Sequence, residues 1–223
     1  MLYLVPTPIG NLEDITLRAL RVLNEVDLIA CEDTRTSGVL LAHHAVNTPR
    51  TSYHDHNERQ KAPHLVAQMQ AGTRIALITD AGAPGISDPG FYLVRECIRH
   101  GIPVTALPGP TAFVPALTAS GLPCDRFVFE GFLPAKKGRR TRLEALAQET
   151  RTLVLYESPH RLVKTLGECE AIFGPERPAA VGRELTKLYE EIRRGSLAEL
   201  RAHYEAQAKV RGEAVLIVGG ADH

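Results

Sequence analysis

Carboxylic acids stand directly behind apolar runs at several points of the chain. Glu32 and Asp33 follow residues 28–31, Asp80 follows residues 74–79, and Glu157 follows residues 152–156. Asp55 lies in His54-Asp55-His56-Asn57, and Asp88 in a stretch rich in glycine and proline. A carboxylate so placed can take a proton from a weak acid, help worth roughly 10²–10⁴ in rate. Residue type alone does not rank Glu32, Asp33, Asp55 and Glu157 as bases, and each also suits a turn or an ion pair. Asp88 is the weaker candidate because it also suits a helix N-cap. Arg35, two residues beyond Asp33, can hold a phosphate or orient those carboxylates.

Three loops behind apolar runs are rich in glycine and proline. They are Pro6-Thr7-Pro8-Ile9-Gly10-Asn11, the stretch from Asp80 to Gly90, and Pro108-Gly109-Pro110-Thr111-Ala112. Glycine lets a ligand approach the backbone and proline fixes the loop shape. Together they predict one small-molecule site lined by main chain, although any single loop is equally well an ordinary turn. None reads GxGxxG or GxxxxGK[ST], and none carries Lys or Arg, which argues against a dinucleotide or a triphosphate. A ligand with a neutral or positive reactive end fits better, and Asp80 can receive its hydroxyl or amine donors.

A basic run, Lys136-Lys137-Gly138-Arg139-Arg140-Thr141-Arg142, holds five cations in seven residues and no acid. Phosphate contacts dominate nucleic-acid affinity, so such a run suits RNA docking, the alternative being a solvated helix start. His43, His44, His54, Asp55 and His56 do not have the HExxH spacing of a zinc helix, and no metal site is expected. The four cysteines, Cys31, Cys97, Cys124 and Cys169, are far apart and read as buried thiols of a reducing compartment.

The elements that must position these residues are legible as punctuation. Strands are expected over 2–5, 28–31, 74–79 and 104–107, and helices over 36–43, 64–71, 91–100 and 111–119. A helix with acids near its start (Glu13, Asp14) carries Leu17, Leu20 and Leu23, read as core. This βαβα order predicts a parallel sheet wrapped by helices. In the second half, strands are expected over 127–129, 152–156, 179–181 and 214–218, and helices over 142–149 and 162–173. Ser196-Leu197-Ala198-Glu199 is a capping box opening a further helix. Gly121-Leu122-Pro123 suggests a boundary between α/β domains at 1–120 and 121–223.

Two hundred and twenty-three residues allow one large or two small domains. Hydrophobic residues make up 44% and charged residues 23%, a globular composition. Lys+Arg and Asp+Glu both total 26, so a general nucleic-acid coat is excluded while local basic patches are not. No apolar stretch nears the ~20 residues of a membrane span. Pro6 interrupts the apolar start and no basic n-region precedes it, so no signal peptide is expected and the address is cytoplasmic.

Taken in order, LYLVPTPIGNLEDITLRAL, CEDTR, HDHNE, TDAGAPGISDPG, LPGPTA, EGFLPAKKGRR, YESPHR, GRELTK and GEAVLIV span residues 2–218. On these motifs the chain resembles the tetrapyrrole-methylase superfamily of S-adenosylmethionine-dependent methyltransferases. It is most similar to members that methylate the 2′-hydroxyl of a cytidine ribose in small-subunit ribosomal RNA.

The resemblance implies two α/β domains with the cofactor in the inter-domain cleft, a homodimer, and ribosomal RNA within the assembled subunit as partner. By position it implies S-adenosylmethionine contacts from Pro8, Ile9, Asp80, Ala81, Gly82, Ala83, Thr111 and Ala112. It implies others from Tyr156, Gly182, Glu184 and Ala214, with Gly182 standing where alanine is expected. For RNA it points to Arg35, Lys136, Lys137, Arg139, Arg140, Arg161 and Lys187. Methylation of a tetrapyrrole-like small molecule is the alternative on the same fold. A non-catalytic ribosome assembly factor is the alternative from another class, and a hydride-transfer enzyme is disfavoured by the missing fingerprint.

Overall fold

A computed structural model describes residues 1–222. Its contacts divide the chain into two units, Met1–Thr111 and Ala112 onward.

The first unit is a five-stranded parallel sheet in the order β3-β2-β4-β1-β5. The strands are β1 (Leu2–Leu4), β2 (Leu28–Cys31), β3 (Arg50–Ser52), β4 (Ile75–Ile78) and β5 (Val104–Ala106). Four helices connect them: α1 (Leu17–Glu25), α2 (Thr34–His43), α3 (Glu58–Gln70) and α4 (Phe91–Arg99). Side chains alternate along each strand and so feed two cores. Ile29, Cys31, Ala76 and Ile78 pack with Ala19, Val22, Leu23, Leu40 and Leu41 of α1 and α2. Ala30, Ile75 and Leu77 pack with Leu65, Val66, Met69, Leu93 and Cys97 of α3 and α4. A sheet covered on both faces explains why β4 reads as an unbroken apolar run.

Several expectations need correction. Leu17 is not core: it is the first residue of α1 and 86% exposed, the buried face being Ala19, Val22 and Leu23. Glu13 and Asp14 belong to a separate 3-10 turn capped by Asn11, while Thr16 caps α1. The helix expected over 64–71 begins a turn and a half earlier, at Glu58, with Pro63 inside it. Cys124 is exposed, in contrast to Cys31, Cys97 and Cys169.

The second unit is a mixed five-stranded sheet in the order β6-β7-β10-β8-β9. It comprises β6 (Phe127–Phe132), β7 (Thr152–Glu157), β8 (Pro178–Arg183), β9 (Glu191–Ser196) and β10 (Ala214–Val218). Only β6 and β7 run parallel. Helices α6 (Arg139–Leu146), α7 (Pro159–Phe173) and α8 (Leu197–Glu205) cover one face through Leu143, Leu162, Leu166 and Leu200. The expected capping box is present, Ser196 and Glu199 each bonding the other's main-chain N–H.

The opposite face carries α5 (Phe113–Thr118). The division therefore falls before α5 rather than at 120/121, because the Phe113 ring packs on Phe127 and Phe129 and Ala116 lies against Gly182.

Candidate functional site

In a parallel sheet every strand ends on the same edge, so the loops leaving β1 to β5 converge there. That edge is the usual ligand face of an open α/β sheet. Three of these loops are the Gly/Pro loops read from the sequence, and they are tied together. Thr7 and Gly82 exchange main-chain hydrogen bonds at 2.9 Å in both directions. The buried Thr7 hydroxyl donates to the Thr79 carbonyl at 2.9 Å. The third loop closes on the first at Gly109, where any Cβ would lie 2.8 Å from Pro6 Cβ. Pro8, Ile9, Ala81, Gly82 and Ala83 thus share one braced main-chain rim, with Thr111 at the end of the neighbouring loop. Thr7 was not among the expected residues, since nothing in Pro-Thr-Pro marks its hydroxyl as buried.

Beside this rim lie the acids. The Asp80 N–H donates to Glu32 Oε2 at 3.4 Å, and the Asp33 N–H donates to Asp80 Oδ1 at 3.2 Å. Burial first, then the charges of Asp80 and Asp55, raises the Glu32 carboxyl above its ordinary value. Partial desolvation first, then the charge of Asp33, raises Asp80. Asp88 is pushed up to about 7, by burial first and then by Glu32, Asp80 and Asp55. Asp88 is not an N-cap, since α4 starts from Gly90 at φ 146°; its half-buried carboxyl belongs to the acidic group instead. Among the described residues no three His, Cys, Asp or Glu are arranged to hold a metal ion.

Asp33 differs from its neighbours. It caps α2 and grips Arg35, accepting from that residue's N–H at 2.8 Å, its Nε at 3.1 Å and its Nη2 at 2.6 Å. The guanidinium holds Asp33 well below the usual carboxylate range, which makes it a poor proton acceptor. Arg35 itself projects into solvent, its side chain 89% exposed.

Glu157 is not placed as a base. It is buried at the end of β7, and both its oxygens are engaged. Oε1 accepts from the Ser158 N–H at 2.8 Å and from Arg161 Nε at 2.9 Å. Oε2 accepts from the Thr165 hydroxyl at 2.6 Å and pairs with Arg139 at 3.5 Å. The same network withdraws Arg139 from the expected RNA surface. Its side chain is 6% exposed and also binds Glu168 at 2.6 Å and the Pro134 carbonyl at 3.2 Å. Arg140 stays on the surface, paired with Glu144 one turn on. Lys136 and Lys137 are exposed.

The remaining cofactor candidates meet at one end of three adjacent strands. Tyr156 and Gly182 are both opposite Val215, and Ala214 is opposite Glu157 and Arg183. Beyond β8 the chain turns through two non-glycine residues of positive φ, Glu184 at 49° and Thr186 at 65°. Such conformations cost of order 1–3 kcal/mol and gather at functional sites. Lys187 holds this turn through Glu184 and Glu213, both at 3.1 Å. Glu184 is partly buried, which raises its carboxyl, but Lys187 and the Glu213 N–H outweigh that and lower it. Gly182 is the close-approach residue: a methyl there would lie 3.2 Å from Ala116 Cβ and 3.4 Å from Leu185. More depends on that hydrogen than the sequence suggests.

Two five-stranded sheets of this topology, the first with a braced Gly/Pro rim free of cations at its carboxyl edge, define an α/β protein with a ligand edge lined by main chain. A crystal structure of uroporphyrin-III-C-methyltransferase from Thermus thermophilus matches with a TM-score of 0.69 at 26% identity, covering 99% of this chain and 94% of that one. A further crystal structure from that organism, solved with S-adenyl homocysteine, matches with a TM-score of 0.67 at 24% identity, over 99% and 98% of the two chains. The model of the tetrapyrrole (corrin/porphyrin) methylases matches residues 1–201, and the chain belongs to that family. It is 54% identical over 222 residues to the ribosomal RNA small subunit methyltransferase I of Mesorhizobium japonicum, covering 99% of this chain and 76% of that protein.

Proposed function

We propose that the protein transfers a methyl group from S-adenosylmethionine to the 2′-hydroxyl of a cytidine ribose in small-subunit ribosomal RNA. The observation that carries this reading is the high identity to a small-subunit rRNA methyltransferase over nearly the whole chain. The rim fits the cofactor in character. It offers main chain in place of phosphate-binding cations, and Asp80 offers an acceptor beside it. Pro8, Ile9, Asp80, Ala81, Gly82, Ala83 and Thr111 hold the cofactor from the first unit. Ala112, Tyr156, Gly182, Glu184 and Ala214 are assigned to it from the second by resemblance.

S-adenosylmethionine supplies a methyl group made electrophilic by its sulfonium. The chain must then align the acceptor hydroxyl and accept its proton. Glu32, Asp55 and Asp88 form the group from which the base comes. Glu32 and Asp88 bind protons more tightly than an ordinary carboxylate, and Asp88, pushed up to about 7, is suited to proton acceptance near neutrality. Lys136 and Lys137 present unpaired charge to the RNA backbone, and Arg35 and Arg140, although paired with Asp33 and Glu144, are exposed enough to join them. Arg161 and Lys187 are less exposed, are tied to acids and serve chiefly to brace their loops. We further propose that the enzyme acts as a homodimer on the assembled subunit.

Single-turnover methylation with Glu32→Gln, Asp55→Asn and Asp88→Asn tests the assignment of the base. One of the three should lose roughly 10²–10⁴ in rate at unchanged cofactor affinity. Full rates in all three would remove the acidic group from the chemistry.

A further inference from the structure

Five aromatic rings run along one border of the second unit. Phe113 lies 6.0 Å from Phe127 and 5.0 Å from Phe129 between ring centroids. Phe129 lies 5.1 Å from Tyr156, and Phe132 lies 5.6 Å from the same tyrosine at an edge-to-face angle of 61°. Three of the five come from β6, an edge strand.

Strand alternation would put Phe129 and Phe132, an odd number of residues apart, on opposite faces. A bulge between Phe129 and Gly131 prevents this. Phe129 is opposite Val154, Gly131 is opposite Leu155, and Phe132 is opposite Tyr156. Leu155 points into the helix-covered core, so Phe132 returns to the face of Phe129 and Tyr156. Gly131 makes the shift possible at φ 67°. A bulge that re-aims one side chain leaves that side chain 53% exposed, although turning it inward would have buried more apolar surface.

The segment after Phe132 carries Lys136 and Lys137, which are exposed and whose side chains have no ion-pair or hydrogen-bond partner among the described residues. The arginines that follow are all matched by acids, Arg139 with Glu157 and Glu168, Arg140 with Glu144, and Arg142 with Glu130. An exposed ring held on edge, followed at once by free cations, is the pairing that single-stranded nucleic acid requires: a π-face for a base and positive charge for its phosphates. A cofactor bound by main chain would have no use for the lysines.

We infer that Phe132, braced by Tyr156, stacks an unpaired base of the RNA substrate while Lys136 and Lys137 hold the adjoining phosphates. This rests on the rRNA reading above and makes Phe132 a positioning residue for the acceptor strand.

The test compares wild type, Phe132→Leu and Phe132→Trp in methyl transfer to isolated small ribosomal subunits. Calorimetry with S-adenosylmethionine and sedimentation are run on each. Phe132→Leu should raise the KM for subunits about tenfold, from loss of one stacked base, with cofactor affinity and sedimentation unchanged. Phe132→Trp should restore the wild-type KM. An unchanged KM in Phe132→Leu, beside an active wild type, overturns the stacking role and leaves rRNA methylation standing. A loss of cofactor affinity or a change in sedimentation overturns it in favour of the cofactor or a second copy. Failure of the wild type itself to methylate subunits removes the rRNA reading, and this inference with it.

Discussion

Two carboxyls, Asp88 half-buried and Glu157 buried, show how the same group takes opposite roles. Asp88 faces other acids, and its carboxyl sits at about 7. A carboxyl raised on folding gives stability that is present below its unfolded value, near 4, and is lost as pH climbs to the folded value. Wild type should therefore lose stability relative to Asp88→Asn between about pH 4 and 7. At pH 8 the variant should melt a few degrees higher, each kcal/mol being worth roughly 2–4 °C at this size. Parallel melting curves from pH 4 to 8 would contradict the acidic surroundings. Glu157 instead faces two arginines, a hydroxyl and an N–H. Glu157→Gln leaves buried Arg139 short of a partner and should cost about 3 kcal/mol or more, read from denaturant unfolding. A variant of wild-type stability with lost turnover would return Glu157 to the chemistry.

The elements were legible where a local rule sets them. Ser196 and Glu199 form the capping box that their spacing predicts, and Ser196→Ala should cost about 0.5–2 kcal/mol by the same unfolding measurement. The buried strands β2, β4, β7 and β10 could be read because each is an apolar run between turns. β3 and β9 could not, being polar strands at the sheet edges whose pairing is decided by their neighbours. Leu17 was misread because spacing identifies a helical stripe but not which residue of the first turn leaves the core. The Gly/Pro loops marked the rim, yet the contact of Gly109 with Pro6 joins residues distant in sequence and has no local signal. Gly109→Ala should displace the exposed loop at Pro108 and Gly109 away from buried Pro6 and weaken S-adenosylmethionine binding by calorimetry, with little change in melting because the displaced loop is exposed. Unchanged affinity would place the cofactor away from this rim.

At the scale of the whole molecule, equal numbers of acids and cations conceal an uneven layout. Acids collect at the carboxyl edge of the parallel sheet, where Glu32, Asp80 and Asp88 lie beside the main-chain rim. Two lysines without an ion pair, Lys136 and Lys137, stand on the segment after β6. Motifs carried by residues 2–218 made the family legible from sequence, whereas the opposite fates of Arg139 and Lys136 within one basic run depend on burial, which composition does not reveal. Among the described residues no helix is long and apolar enough to cross a membrane. The same fold serves uroporphyrin chemistry in the T. thermophilus enzyme, so the fold does not choose the substrate. The acceptor atom decides between them. The most direct measurement is methyl transfer from labelled S-adenosylmethionine to isolated small ribosomal subunits, with the product mapped by alkaline cleavage, which needs a free 2′-hydroxyl. The account predicts incorporation and a single protected cytidine ribose in the small-subunit RNA. Incorporation without protection would move the methyl group to a base or a protein and contradict it.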